Sequence, residues 1–241
     1  MPEASDGGVG GGRAPDGGEF AAVETVLFDL DGTISDSASG ILAALRRAFG
    51  EFGLDWPADE RARALLGPPF WQSLGPLVGG DRLAEVVATF RRHYHGGLMF
   101  DASVFDGMRE ELDRLTAAGY RLAIATSKPE PSAVRIVSFL GLDGYFETVC
   151  GDTMDGERGS KAEVVAEALA RLGRPVPDSV LMVGDRRHDV LGSAAHSIAC
   201  VGVLWGYGSQ TELAAAGARR LARRPAQLTE LLAVAGGAAA R

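Results

Sequence analysis

Val26-Leu27-Phe28-Asp29-Leu30-Asp31-Gly32-Thr33 decides how this chain of 241 residues is read. It opens as a short apolar run, the pattern of a strand buried on both faces. It then sets two carboxylates two residues apart and stops at Gly-Thr. Carboxylates at a buried strand end need a proton or a cation to be tolerable. Mg²⁺ suits such a place, because it takes one or two carboxylates together with phosphate oxygens and water. Taken alone, the same four residues from Asp29 to Gly32 also read as an acidic turn, since Asp and Gly are common turn formers.

Outward from this stretch the period of the sequence changes. Ile41, Leu42, Leu45, Ala48, Phe49 and Phe52 recur at helical spacing, with Asp36, Ser37 or Ser39 as the N-cap and Gly53 as the stop. Helical segments are expected over Glu60–Leu66, Phe70–Leu77 and Arg82–His95, with no strand between Asp36 and about Ser103. From Met108 helices and strands alternate. Strands are expected at Tyr120–Ala125, Phe146–Cys150, Ser179–Val183 and Ala199–Val203, with an edge strand near Arg220–Ala222. Helices are expected at Met108–Ala118, Pro131–Leu140, Lys161–Leu172, Asp189–His196, Thr211–Ala216 and Ala226–Val234. This order predicts an α/β fold, a Rossmann-like, mostly parallel sheet with helices on both faces, interrupted by an all-helical cap. The expected organisation is a disordered Gly-rich extension over 1–20, a core from 21–35 and 104–241, and a cap from 36–103.

Composition limits the partners. Hydrophobic residues make up 46% of the chain, enough for a sizeable core. The formal net charge of −8 argues against a nucleic-acid polymer as ligand. It does not argue against an anionic metabolite, because a metal and a few placed cations set the local field. Cys150 and Cys200 sit in apolar surroundings and read as buried thiols. With no apolar run of membrane length and no leader-like N-terminus, the expectation is a cytoplasmic protein without a membrane partner.

Three apolar strands end in polar clusters: Asp29 with Asp31, Thr126-Ser127-Lys128, and Gly184-Asp185-Arg186-Arg187-His188-Asp189. Lys161 opens a helix between the last two. In a parallel sheet all of these fall on the carboxyl edge, where ligands bind. Each has a role if the substrate is a phosphate ester. Asp29 can attack phosphorus and Asp31 can shuttle the proton. Thr126 offers its hydroxyl, and Ser127, Lys128 and Gly32 complete a cradle for phosphoryl oxygens. Lys161 supplies fixed positive charge, Asp185 completes a metal site, and Asp189 orients water or Lys161 from one turn away. Each residue alone has an ordinary reading: Thr126-Ser127 as a helix cap, Lys161 as a solvated side chain, Asp185 and Asp189 as a turn and a cap. Their joint order is what carries the functional reading.

In that order the chain resembles the haloacid dehalogenase superfamily of phosphatases. Its motifs appear as Asp29-Leu30-Asp31-Gly32-Thr33, Thr126-Ser127, Lys161 and the 184–189 run, and the likeness extends from about Thr25 to Leu232. The resemblance implies Mg²⁺ held by the Asp29 side chain, the Asp31 backbone carbonyl and the Asp185 side chain. It also implies hydrolysis of a small phosphorylated metabolite through an aspartyl-phosphate. Leu66-Gly67-Pro68-Pro69 and Trp205-Gly206-Tyr207-Gly208 are similar to the phosphoglycolate phosphatase-like branch, with bacterial 5′-nucleotidase-like members as the alternative. Phosphomutases and idle binding proteins on the same scaffold are minor alternatives. Arg186-Arg187-His188 is bulkier than the small polar residues common there. Gly67-Pro68-Pro69 reads as a stiff turn of the cap facing the substrate. Phe70, Trp71 and Trp205 read as core residues first and as stacking partners for a nucleobase second.

Overall fold

The computed structural model describes residues 19–67, 73–153 and 158–233. The Gly-rich stretch up to residue 18, Pro68-Pro69, Phe70 and Trp71 lie outside the described residues.

The first apolar run forms β1 (Thr25–Phe28), buried throughout. Around it stand β4 (Arg121–Pro129), β5 (Val149–Asp152), β6 (Val180–Gly184), β7 (Ala199–Val203) and β8 (Arg220–Ala222). They form one six-stranded sheet in the order β5-β4-β1-β6-β7-β8, every pair parallel. The edge strand expected near Arg220–Ala222 is therefore present. The strand expected at Phe146–Cys150 starts later, at Val149.

Alternation along each strand feeds two cores. Val26, Phe28, Leu122, Ile124, Leu181 and Val183 point to one face, which also packs against the helical insert. Leu27, Ala123, Ala125, Met182 and Cys200 point to the other. There they meet Val164, Val165 and Ala168 of α7 (Lys161–Arg171) and Val190 of α8 (Arg187–Ala194). Cys150 and Cys200 are buried free thiols, as expected.

Between β1 and β4 the chain makes a detour. It leaves through β2 (Ser35–Asp36) and returns through β3 (Ser103–Val104). These pair antiparallel, Ser35 with Val104 and Asp36 with Ser103. The described elements between them are helical: α1 (Ala38–Glu51), α2 (Asp59–Arg63), α3 (Gly75–Val78), α4 (Gly80–His95) and a short 3₁₀ turn at Leu98–Phe100. Ala44, Leu45, Ala48 and Phe49 of α1 bury with Val86, Phe90 and Tyr94 of α4 in the first core. The remaining helices are α5 (Met108–Ala117), α6 (Glu130–Phe139), α9 (Gln210–Ala216) and α10 (Gln227–Ala233). Among the described residues no helix is long and apolar enough to cross a membrane.

Candidate active site

Sheet register brings the polar clusters together. Phe28 is level with Ile124 on one side and Val183 on the other. Asp29, Thr126 and Asp185 thus emerge within two residues of that level, on the carboxyl edge of the three central strands. β1 lies where the chain's connections diverge to either side, the place where such sheets bind ligands.

Lys161 stands at the first position of α7, behind a complete capping box. The Ser160 hydroxyl accepts from the Glu163 amide, and the Glu163 carboxylate accepts from the Ser160 amide at 2.9 Å. From there its Nζ lies 2.8 Å from Asp29 Oδ1 and 2.7 Å from Asp189 Oδ1, and donates to Ala125 O at 2.9 Å. Burial opposes this ammonium, but Asp189 and Asp29 outweigh it and hold its pKa above the ordinary value. Burial drives Asp29 up to about 6, against the pull of Lys161. Asp189 is fixed at its second oxygen by the Arg186 amide, 2.9 Å away.

Asp31 is held at both oxygens. Ser37 Oγ donates to Oδ1 at 2.6 Å, and Lys128 Nζ lies 2.7 Å from Oδ2. Lys128 also donates to Tyr94 Oη of α4 at 2.8 Å, so this lysine ties core to insert. Thr126 is buried, and its hydroxyl accepts from the Lys128 amide at 3.2 Å. Since α6 starts at Glu130, Thr126 does not cap it. Ser127 is exposed and lines the cavity above the site. The Gly32 amide is spent on Ser35 O at 2.8 Å, so Gly32 enters through its conformation (φ 86°) and not as a free donor.

Asp185 is fully buried and held from one side. The Tyr207 amide donates to its Oδ2 at 2.7 Å, while Oδ1 has no partner among the described residues. Burial, then the charges of Asp189 and Asp29, push its pKa well above the usual carboxylate value. The wall behind it is Trp205-Gly206-Tyr207-Gly208. A Cβ on Gly206 would sit 2.2 Å from Gly32 O, and one on Gly208 1.8 Å from Asp185 O. Gly208→Ala is therefore expected to cost at least roughly 1–3 kcal/mol, the range for overpacking, and to displace Asp185. Urea titration and the Mg²⁺ response of the variant check this, and an unchanged midpoint would count against the close packing. Trp205 is half-buried, packs against the core and donates from Nε1 to Thr33 O at 2.9 Å.

The cluster is rich in negative charge. Carboxylate atoms of Asp29, Asp185 and Asp189 lie within 4.8 Å of one another and can hold a metal ion. With Asp31 there are four carboxylates against the two ammoniums of Lys128 and Lys161, which leaves two formal negative charges. That excess and the unpartnered Asp185 oxygen match a divalent cation preferring oxygen ligands.

Residues 26–203 match the haloacid dehalogenase-like hydrolase family. The chain belongs to that family. Among relatives of this hydrolase, the tyrosine-protein kinase PtkA of Mycobacterium tuberculosis is 44% identical over 196 residues. That match covers 81% of this chain but only 66% of the relative. A 5′-nucleotidase of Pseudomonas aeruginosa is 36% identical over 79% of this chain and 86% of its own. In three dimensions the hydrolase superposes on the PtkA structure with TM-score 0.78 and 41% identity, covering 88% of this chain and 98% of that one. A haloacid dehalogenase-like hydrolase from Streptococcus pneumoniae gives TM-score 0.83 at 28% identity, covering 87% and 98%. Other members similar to this chain carry phosphatase names, a 5′-nucleotidase and a predicted phosphatase from Clostridium acetobutylicum among them.

Several partners in the site have no signature in the sequence. Ser37 reads in the sequence only as an N-cap, Tyr94 is lost in the polar run Arg91-Arg92-His93-Tyr94-His95, and Tyr207 stands between two glycines. The one hint was the Trp-Gly-Tyr-Gly run, whose two glycines mark a close backbone approach.

Proposed function

We propose that the protein is a Mg²⁺-dependent phosphomonoester hydrolase working through an aspartyl-phosphate on Asp29. The observation that carries this reading is the buried Asp29 carboxylate, held at one oxygen by Lys161 beside the unpartnered oxygen of Asp185. In the first half-reaction an Asp29 oxygen bonds to phosphorus as the bond to the leaving alcohol breaks, and Asp31 gives that alcohol its proton. In the second, water loses a proton to Asp31 and attacks phosphorus. The Asp29–phosphorus bond breaks and phosphate departs. Lys161 and Thr126 stabilise the phosphoryl oxygens, and Ser127 and Lys128 line their cradle. Ser37 and Lys128 orient Asp31, and one of these contacts yields when the leaving oxygen arrives. Asp29, Asp185 and the Asp31 backbone carbonyl would hold Mg²⁺, which supplies positive charge against the phosphoryl oxygens. Asp189 keeps Lys161 in place.

The test is Mg²⁺-dependent phosphate release from p-nitrophenyl phosphate, with Asp185→Asn beside the parent. The variant is expected to need far more Mg²⁺, exceeding the roughly 10–100-fold that loss of an outer partner costs. It should also lose the rise in Tm that Mg²⁺ gives the parent. An unchanged Mg²⁺ requirement would remove Asp185 from the metal site. The relatives' names supply the substrates to compare: phosphoglycolate, nucleoside 5′-monophosphates, and, from the kinase name, tyrosine. In that last reaction ATP would donate to Asp29 and a tyrosyl hydroxyl would replace water. Labelled ATP with a tyrosine peptide separates it from hydrolysis.

A further inference from the structure

Above the carboxylates lies a cavity of about 790 Å³, within the range of pockets that enclose a whole drug-sized ligand. One side is a single stripe of α4. Gly80, Leu83, Val87, Phe90 and Tyr94 line it at helical spacing, along about 20 Å of axis. Ile41, Leu65 and Leu66 line it from the rest of the insert. The stripe has a polar end and an apolar end. Tyr94, stacked on Phe90 with centroids 5.3 Å apart, reaches Lys128 and through it Asp31. Leu83 lies three turns away.

The cations along the cavity are mostly engaged. Lys128 is paired with Asp31. Arg186 bonds Glu212 at 2.9 Å and the Leu66 carbonyl. His95 lies 3.2 Å from the Ser132 hydroxyl, and burial with neighbouring Arg135, Arg91 and Lys128 lowers its pKa. Arg91 is exposed, so water solvates it. His188, on the core side, is likewise lowered by burial and by Arg187. Among the described residues a short carboxylate beside the phosphoryl group would find little unpaired fixed charge. It would also leave most of the cavity as water against hydrocarbon.

We propose that this cavity selects phosphate monoesters with an extended apolar alcohol, laid along α4 from Tyr94 toward Leu83, over short hydroxy acids and sugars. The selection for hydrolysis rests on the phosphatase reading above, but binding can be measured apart from it. Ethyl, butyl, hexyl and octyl phosphate have leaving groups of matched reactivity. Their kcat/KM should rise about threefold to fourfold per methylene that enters the cavity. The corresponding alkyl phosphonates, titrated calorimetrically with Mg²⁺ present, should tighten by the same factor. Val87→Thr keeps the wall's shape, adds a hydroxyl, and should flatten both series. A flat or falling series, or phosphoglycolate as the best substrate, overturns the proposal and leaves the phosphatase reading standing. Phosphonates that tighten with length while no ester is hydrolysed support the cavity's selectivity and overturn the hydrolytic reading. No turnover with a flat phosphonate series overturns both.

Discussion

Asp29→Asn is expected to fold like the parent and to lose at least about 10⁴-fold in kcat, the scale seen when a nucleophile is removed from a preorganised site. The substitution keeps shape and takes one negative charge out of a cluster that already holds two more than its lysines balance. Burial, which pushes this carboxyl up to about 6, no longer opposes it. The remaining amide can accept from Lys161 but cannot form a stable bond to phosphorus. Steady-state phosphate release and a thermal melt on one preparation measure both halves. A melt unchanged or raised with the rate gone is the expected pair. A rate within tenfold of the parent would place the nucleophile elsewhere.

Lys161→Met is expected to destabilise the fold by about 3–5 kcal/mol, the cost of removing one member of a buried ion pair. In a domain of this size that corresponds to a fall in Tm on the order of 10 °C. The lysine is almost fully buried and meets Asp29, Asp189 and the Ala125 carbonyl together. Without it two carboxylates and a backbone acceptor are left buried without their cation. Adding Asp29→Asn and Asp189→Asn should return most of the lost stability, because these three sites are coupled. Urea denaturation of the single and triple variants gives both numbers. A single variant as stable as the parent would mean that protons, not Lys161, neutralise the cluster.

What the sequence made legible is what local pattern controls. Apolar runs fixed the five long strands, and once those were parallel, Asp29, Thr126 and Asp185 had to reach one edge. Lys161 was placed by the helix that opens at it, and the structure shows a capping box at Ser160 and Glu163 fixing that start. What escaped depends on partners far apart in the chain. Tyr94 meets Lys128 only because the insert folds back over β4, and Tyr207 meets Asp185 only because β7 lies beside β6. Two-residue strands such as β2 and β3 are too short to show a period at all. The helix expected over Phe70–Leu77 survives in the described residues as α3, Gly75–Val78, where Gly79 at φ 79° ends it.

The pairing of Ser35-Asp36 with Ser103-Val104 gives departure and return a common doorstep. The apolar stripe of α4 is threaded through this one stitch, while Asp29, Thr126 and Asp185 stay at strand ends of the sheet. The excursion still reaches back into the reaction centre at two points, Ser37 on Asp31 and Tyr94 on Lys128, so any exchange of it must keep those two contacts or supply their equivalents.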